Sequence, residues 1–233
     1  MEIHEEKPKF DPNNILIVGT SHIAKTSIKE VKQSFLDFKP DIIAVELDRN
    51  RIQSLFQKQK GGVPISAIKQ IGITGYVFVS IAGFVQRKLG NMVGVMPGSE
   101  MKEAVRLANI NKVPLALIDQ DIQVTLARFS KQFTFKEKMR LLGDIFLSPF
   151  SKKRRLNLGM NFDLNKVPEE EIIEKMIGLV KKRYPSLYNV LIHERNLVMA
   201  KRLKMMSLKE PHKKIMAVVG AGHKKEMIRI INK

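Results

Sequence analysis

Four short apolar runs constrain the fold of this 233-residue chain more than any other feature. They lie at residues 15–18 (ILIV), 41–47 (DIIAVEL), 113–118 (VPLALI) and 214–219 (KIMAVV). A strand with apolar residues on both faces must be covered on both. That is the condition of a buried parallel sheet rather than of an antiparallel one facing water. Between the runs lie segments of helical periodicity. Ile28, Val31, Phe35 and Phe38 recur at helical spacing with Lys, Glu and Asp between them. Ser27-Ile-Lys-Glu30 has the form of a capping box opening that helix, and Lys39-Pro40 ends it. The pattern recurs in PGSEMKEAVRLANINKVPLALIDQD, where Ser99 or Gly98 caps and Met101, Ala104, Val105 and Ala108 face inward. The expected class is α/β, with a mainly parallel central sheet, flanking helices and a helical insertion.

Residues 1–12 are polar, carry no apolar signal segment and read as a flexible arm. Residues 13–233 read as a single domain, with helical insertions at about 61–98 and 129–206. Seventeen residues without a charge lie between Lys69 and Arg87. A membrane span wants about twenty, and three glycines interrupt this one. The segment is expected to form a helical hairpin packed on the domain. The alternative is an apolar surface at 70–86 that meets a membrane or a second copy of the chain.

The net charge of +18 is uneven. Residues 175–233 hold 15 basic and 3 acidic side chains, and residues 131–155 hold 8 against 2, so the remainder is neutral. Such a basic half points to an anionic membrane surface or nucleic acid, or to a lysine-rich solvated face. Three tyrosines, no tryptophan and no recognised motif count against nucleic acid. The absence of cysteine excludes disulfides, thiolate metal ligands and a cysteine nucleophile. Localisation is expected to be cytoplasmic or membrane-associated.

The candidate chemistry sits at strand ends. Gly19 is followed three residues on by His22, and Gly220 by His223, in the same grammar of apolar strand, glycine, two residues, histidine. Chance would supply about 0.3 G-x-x-H matches in this composition, so the pair is notable. Glycine suits a turn where backbone passes close or adopts positive φ. Glu46 and Asp119 follow the second and third runs, and ligands gather at the carboxyl ends of parallel strands. Two imidazoles and a carboxylate suit zinc, manganese, cobalt or iron with positions left open for water. Each residue has a plainer reading as well. Either histidine can be a capping or hydrogen-bonded loop residue, Glu46 a structural partner of Arg195, and Asp119 the cap of the next helix. His4 and His212 look like surface residues. The cluster His193-Glu194-Arg195-Asn196 is either a solvated stripe with an internal ion pair or a group turned toward the strand rim. In the second case Arg195 and Asn196 neutralise Glu46 or hold an oxyanion.

ILIVGTSHIAKTSIKEVKQSFLDFKPDIIAVELDRNR closely resembles the opening of the TraB/pheromone-shutdown (PrgY, GumN-like) family. MPGSEMKEAVRLA, LIDQDIQVTLAR, HERNLVMAKRL and VVGAGHKKEM follow in that family's order. The family is distantly similar to Tiki-type proteins, proposed metal-dependent proteases built on two G-x-x-H motifs and an acidic residue. The resemblance implies His22 and His223 as metal ligands, Glu46 as ligand or general base, and Arg195 and Asn196 as supporting groups. Two departures stand out. Asp119 is followed by Gln120 where the family has Arg, and GAGH continues as Lys224-Lys225-Glu226 where the family often has Leu-x-Gly. Two functions are therefore expected to compete. One is a metal-dependent hydrolase acting on a peptide, with Mn, Co or Zn. The other is a non-catalytic protein that binds or sequesters a peptide at the membrane surface.

Overall fold

The four apolar runs pair as one parallel sheet: β1 (Ile15–Thr20), β2 (Ile42–Val45), β3 (Leu115–Leu117) and β4 (Ile215–Gly220), in the order β1-β4-β2-β3. The structure, a computed structural model, describes residues 11–20, 25–56, 65–93, 98–147 and 170–233. His4, His22, the basic segment 148–167 and most of the amino-terminal arm lie outside those residues. β4 runs between β1 and β2, pairing Ile15 with Ile215 on one side and Ile43 with Met216 on the other. Every residue of β4 is buried, which explains its unbroken apolar sequence.

The helices, in chain order, are α1 (Lys25–Phe38), α2 (Arg49–Phe56), α3 (Ile68–Val93), α4 (Ser99–Ile110), α5 (Ile122–Gln132), α6 (Phe135–Leu147) and α7 (Glu170–Arg183). Then come α8 (Pro185–Tyr188), a π-helical turn (Asn189–His193), α9 (Glu194–Lys209) and α10 (Ala221–Ile231). Two-residue alternation along the strands feeds two separate cores. Ala44, Ile215, Ala217 and Val219 pack with Met199, Leu203, Met227 and Ile231 of α9 and α10. Ile43, Val45, Met216 and Val218 pack on the other face with Val31 of α1 and with Met101, Ala104, Val105 and Ala108 of α4. Large buried side chains of this kind each contribute about 1.5–3 kcal/mol. A third cluster, Phe129, Phe133 and Val190, joins α5 to the π turn.

Two local expectations need correction. Ser27 lies buried inside α1, which is already under way at Lys25, so Ser27 does not cap it. Among the described residues a capping box does form at Thr134–Glu137. Thr134 Oγ1 accepts from the Glu137 N–H at 3.3 Å, and Glu137 Oε2 accepts from the Thr134 N–H at 3.1 Å. The segment 70–86 is two helical pieces of very unequal length that meet at one break near its start, not two matched arms of a hairpin. Its break is a kink at Gly72, φ 74° and ψ 163°, a conformation costly to any residue with a Cβ. Ser130 of α5 holds the kink, accepting from Gly75 N–H at 2.7 Å and donating to Ile71 O at 2.5 Å. Among the described residues no helix is long and apolar enough to cross a membrane.

Candidate functional site at the carboxyl rim of the sheet

With all strands parallel, their carboxyl ends share one rim, and Glu46, Asp119 and His223 meet there. Glu46 leaves β2 directly and is 2% exposed. Its Oε2 accepts from the Gly220 N–H at 2.6 Å, satisfying a donor where β4 turns into α10, and its Oε1 accepts from Arg195. Asp119 is as deeply buried and is not the cap of α5. Asp121, next to the helix, takes that role through the Gln123 N–H at 2.7 Å. Asp119 instead accepts from Arg195 Nε at 3.0 Å, from Arg195 Nη2 at 2.7 Å and from Arg51 Nη1 at 2.7 Å. Arg195 thus bridges two buried carboxylates. Burial alone would make the guanidinium easier to deprotonate, but Glu46 and Asp119 outweigh it and push its pKa above the ordinary arginine range.

Gln120, next to Asp119, turns its amide to Thr125 at 3.0 Å. The positive charge comes from elsewhere: Arg51 of α2 reaches the Asp119 carboxylate, and Arg202 of α9 its carbonyl at 2.5 Å.

His223 stands in the first turn of α10, 8% exposed. Its Nδ1 lies 2.6 Å from Asn196 Oδ1, while its Nε2 lies 3.3 Å from Arg195 Nη1 and 3.4 Å from Glu46 Oε1. Asn196 Nδ2 donates to Glu226 Oε2 at 2.6 Å. The π turn at Asn189–His193 is wider than an α-turn and shifts the helical register, so four successive side chains fan out. His193 meets Glu226 at 2.7 Å, Glu194 pairs with Arg128 of α5 at 2.8 Å, Arg195 takes Glu46 and Asp119, and Asn196 takes His223. The cluster is a set of links to neighbouring elements, not a solvated stripe with an internal pair.

Gly19 explains itself by close approach: a Cβ there would lie 3.1 Å from Lys224 Cδ and 3.2 Å from Ala221 Cα. Gly220 has φ −59° and ψ 139°, ordinary backbone. His22, two residues past β1, lies outside the described residues, and His212 is exposed as expected. Beside the rim a cleft of about 500 Å³ runs between α10 and α7, lined among others by Gly19, Gly178, Tyr188, Gly222, Lys224 and Glu226.

Tyr188, Arg51, Arg202 and Glu226 escaped the sequence reading. Only Glu226 left a signal: it stands three residues after His223, on the same helical face, but directly after two lysines it reads as a solvent residue. Hydrogen bonds decide its charge. Burial would raise the carboxyl, but donors from His193, Asn196 and Tyr188 outweigh it and hold the pKa below the ordinary carboxylate value.

Among the described residues no three His, Asp or Glu side chains converge as a metal-ligand set. The donor chemistry of two of them nonetheless fits an ion. His223 Nε2 and Glu46 Oε1 are 3.4 Å apart, a spacing that two bonds of about 2.0–2.2 Å to one ion can span. An Nδ1 tied to a polar partner is how ligating histidines are oriented. Arg195 touches both donors, so an ion and the guanidinium would compete for the same electron pairs.

A parallel α/β sheet with buried acid, base and guanidinium at its carboxyl rim is the framework of a ligand-binding or catalytic domain. The profile of the TraB/PrgY/gumN family matches residues 7–232, and the chain belongs to that family. It is similar to protein MJ1365 of Methanocaldococcus jannaschii, 36% identical over 222 residues, which cover 94% of this chain and 54% of that protein. It is also similar to the TraB domain-containing proteins of Homo sapiens and Mus musculus, each 27% identical over 241 residues, with 91% of this chain and 61% of the relative covered. The chain therefore spans little more than half the length of these relatives.

Proposed function

We propose that this chain is a hydrolase for a peptide or amide bond, built on Glu46 and His223 with His22 as the third member. The observation that carries this reading is the facing of His223 Nε2 and Glu46 Oε1 at 3.4 Å on the strand rim, with the ring oriented from behind by Asn196. His22, His223 and Glu46 would hold a divalent ion (Mn, Co or Zn), which would supply Lewis acidity at that corner. Glu46 is the nearest carboxylate to accept a proton from an attacking water. Arg195 stays cationic throughout and is placed to meet negative charge developing on a carbonyl oxygen. The adjoining cleft falls within the volume range of ligand sites and would receive the peptide.

A second reading has its own support. Arg195 already neutralises Glu46, and Ile65, Ile73 and Val77 stand exposed on the α3 side of the molecule. Both suit a protein that binds a peptide at an anionic membrane surface without turning it over.

Metal content separates the two. Chelator-free wild-type protein and the His22→Ala/His223→Ala double variant are loaded with Zn, Mn or Co and their bound metal is measured. The hydrolase reading expects near-stoichiometric metal in wild type and its loss in the variant. No retention under any loading, with equal peptide affinity in both proteins, overturns it for the binding reading.

A further inference from the structure

Glu226 places a carboxylate behind the histidine of the rim. Glu226 is one α-helical turn after His223 and has a side chain 12% exposed. It accepts from Asn196 Nδ2 at 2.6 Å and from Tyr188 Oη at 3.1 Å, and its other oxygen meets His193 Nδ1 at 2.7 Å. A carboxylate that is ionised can only accept, so the Asn196 group facing it must be the NH2. The amide oxygen then has one direction left, toward His223 Nδ1 at 2.6 Å. An oxygen there requires Nδ1 to carry the ring proton. At the other nitrogen Arg195, which can only donate, stands 3.3 Å from Nε2 and asks for a lone pair. Glu46 Oε1, 3.4 Å from the same nitrogen, is an acceptor and pulls the other way, so the contact that decides the tautomer is the Asn196 oxygen at Nδ1.

We infer that Glu226 is a positioning residue: through the Asn196 amide it locks His223 as the Nδ1–H tautomer and presents Nε2 as an electron-pair donor toward Glu46. The inference rests on the reading of His223 as the working imidazole of the rim, but it concerns the ring itself and not turnover. Without the acceptor at 226 the Asn196 amide is free to turn over. Its NH2 would then face Nδ1, the proton would move to Nε2, and the ring would point a donor at Glu46. Glutamine at 226 keeps the shape but offers both a donor and an acceptor, so it holds the amide only in part.

The test is the nitrogen spectrum of His223 in chelator-treated, 15N-labelled protein above the histidine titration range, for wild type, Glu226→Met and Glu226→Gln. Wild type is expected to show a protonated Nδ1 and an unprotonated Nε2. In Glu226→Met the two resonances move toward each other or exchange character, and in Glu226→Gln they fall between. Each variant's amide spectrum reports whether the fold is kept. A wild-type Nε2–H ring overturns the inference without any variant, and so does a folded variant with an unchanged His223. A protein that retains no metal under any loading and hydrolyses no peptide, but shows this tautomer pattern, sinks the hydrolase reading and leaves the role of Glu226 standing.

Discussion

Arg195 is the residue on which the rim depends. It is the hydrogen-bonded counter-ion of Glu46 and shares Asp119 with Arg51. Replacing one partner of such a buried set costs roughly 3–5 kcal/mol, because the remaining charge stays buried without compensation. Arg195→Met should therefore lower the melting temperature by on the order of 10 °C for a domain of this size. If the ion and the guanidinium compete, saturating zinc raises the melting temperature of the variant more than that of wild type, which a thermal-shift titration measures directly. Equal shifts would remove the competition. The Glu46–Arg195 pair was legible in the sequence for a physical reason: a carboxylate inside an apolar run needs a partner, and Arg195 was the arginine of the dense polar cluster. Of the two readings open for Asp119, the rim one holds and the capping one fails, because Asp121, next to the helix, takes the cap. Glu226 was only faintly legible because its partners lie on α8, the π turn and α9, and a glutamate that follows two lysines on its own signals solvent.

Elements were legible where periodicity was strong. The inward positions of α4 are buried as the spacing predicts, and α1 ends at Phe38 with Lys39 at φ 49° just before Pro40. Strand order was not legible, since nothing in the run at residues 214–219 says that it slots between the first two strands. The shape of α3 was not legible either. Gly72 in an apolar stretch suggests a break, but whether the chain reverses or only bends is decided by Ser130, 58 residues on, which stitches both sides of the kink. Gly72→Ala tests this element. The backbone there has positive φ, and the new Cβ would sit 2.9 Å from Ser130 Oγ. Backbone in this essentially glycine-only region costs another residue about 1–3 kcal/mol, so chemical denaturation should show a loss of at least that order. A neutral outcome would mean that the kink straightens without cost.

For the molecule as a whole, pH acts through carboxylates that the fold holds ionised. In Glu137, burial favours the neutral form, but the hydrogen bonds from Ser186 and Thr134 outweigh it, and its pKa is lowered in the same direction as that of Glu226. A folded-state pKa below the ordinary 4.5 contributes stability that is complete above that value and is lost as pH falls through the lower, folded one. Melting temperatures between pH 7 and pH 3 should therefore decline below about pH 4.5, and Glu137→Gln should shallow that decline while lowering the plateau. An unchanged acid limb in the variant would show that Glu137 carries none of it. The placement of β4 bears on how such a molecule is made. A nascent chain that has emerged only as far as α9 has its first two strands in hand but not the one that separates them, so neither can find its native neighbour on that side. Assembly of the sheet must wait for residues 215–220 to leave the ribosome, and any product cut short before residue 215 carries raw strand edges that invite aggregation.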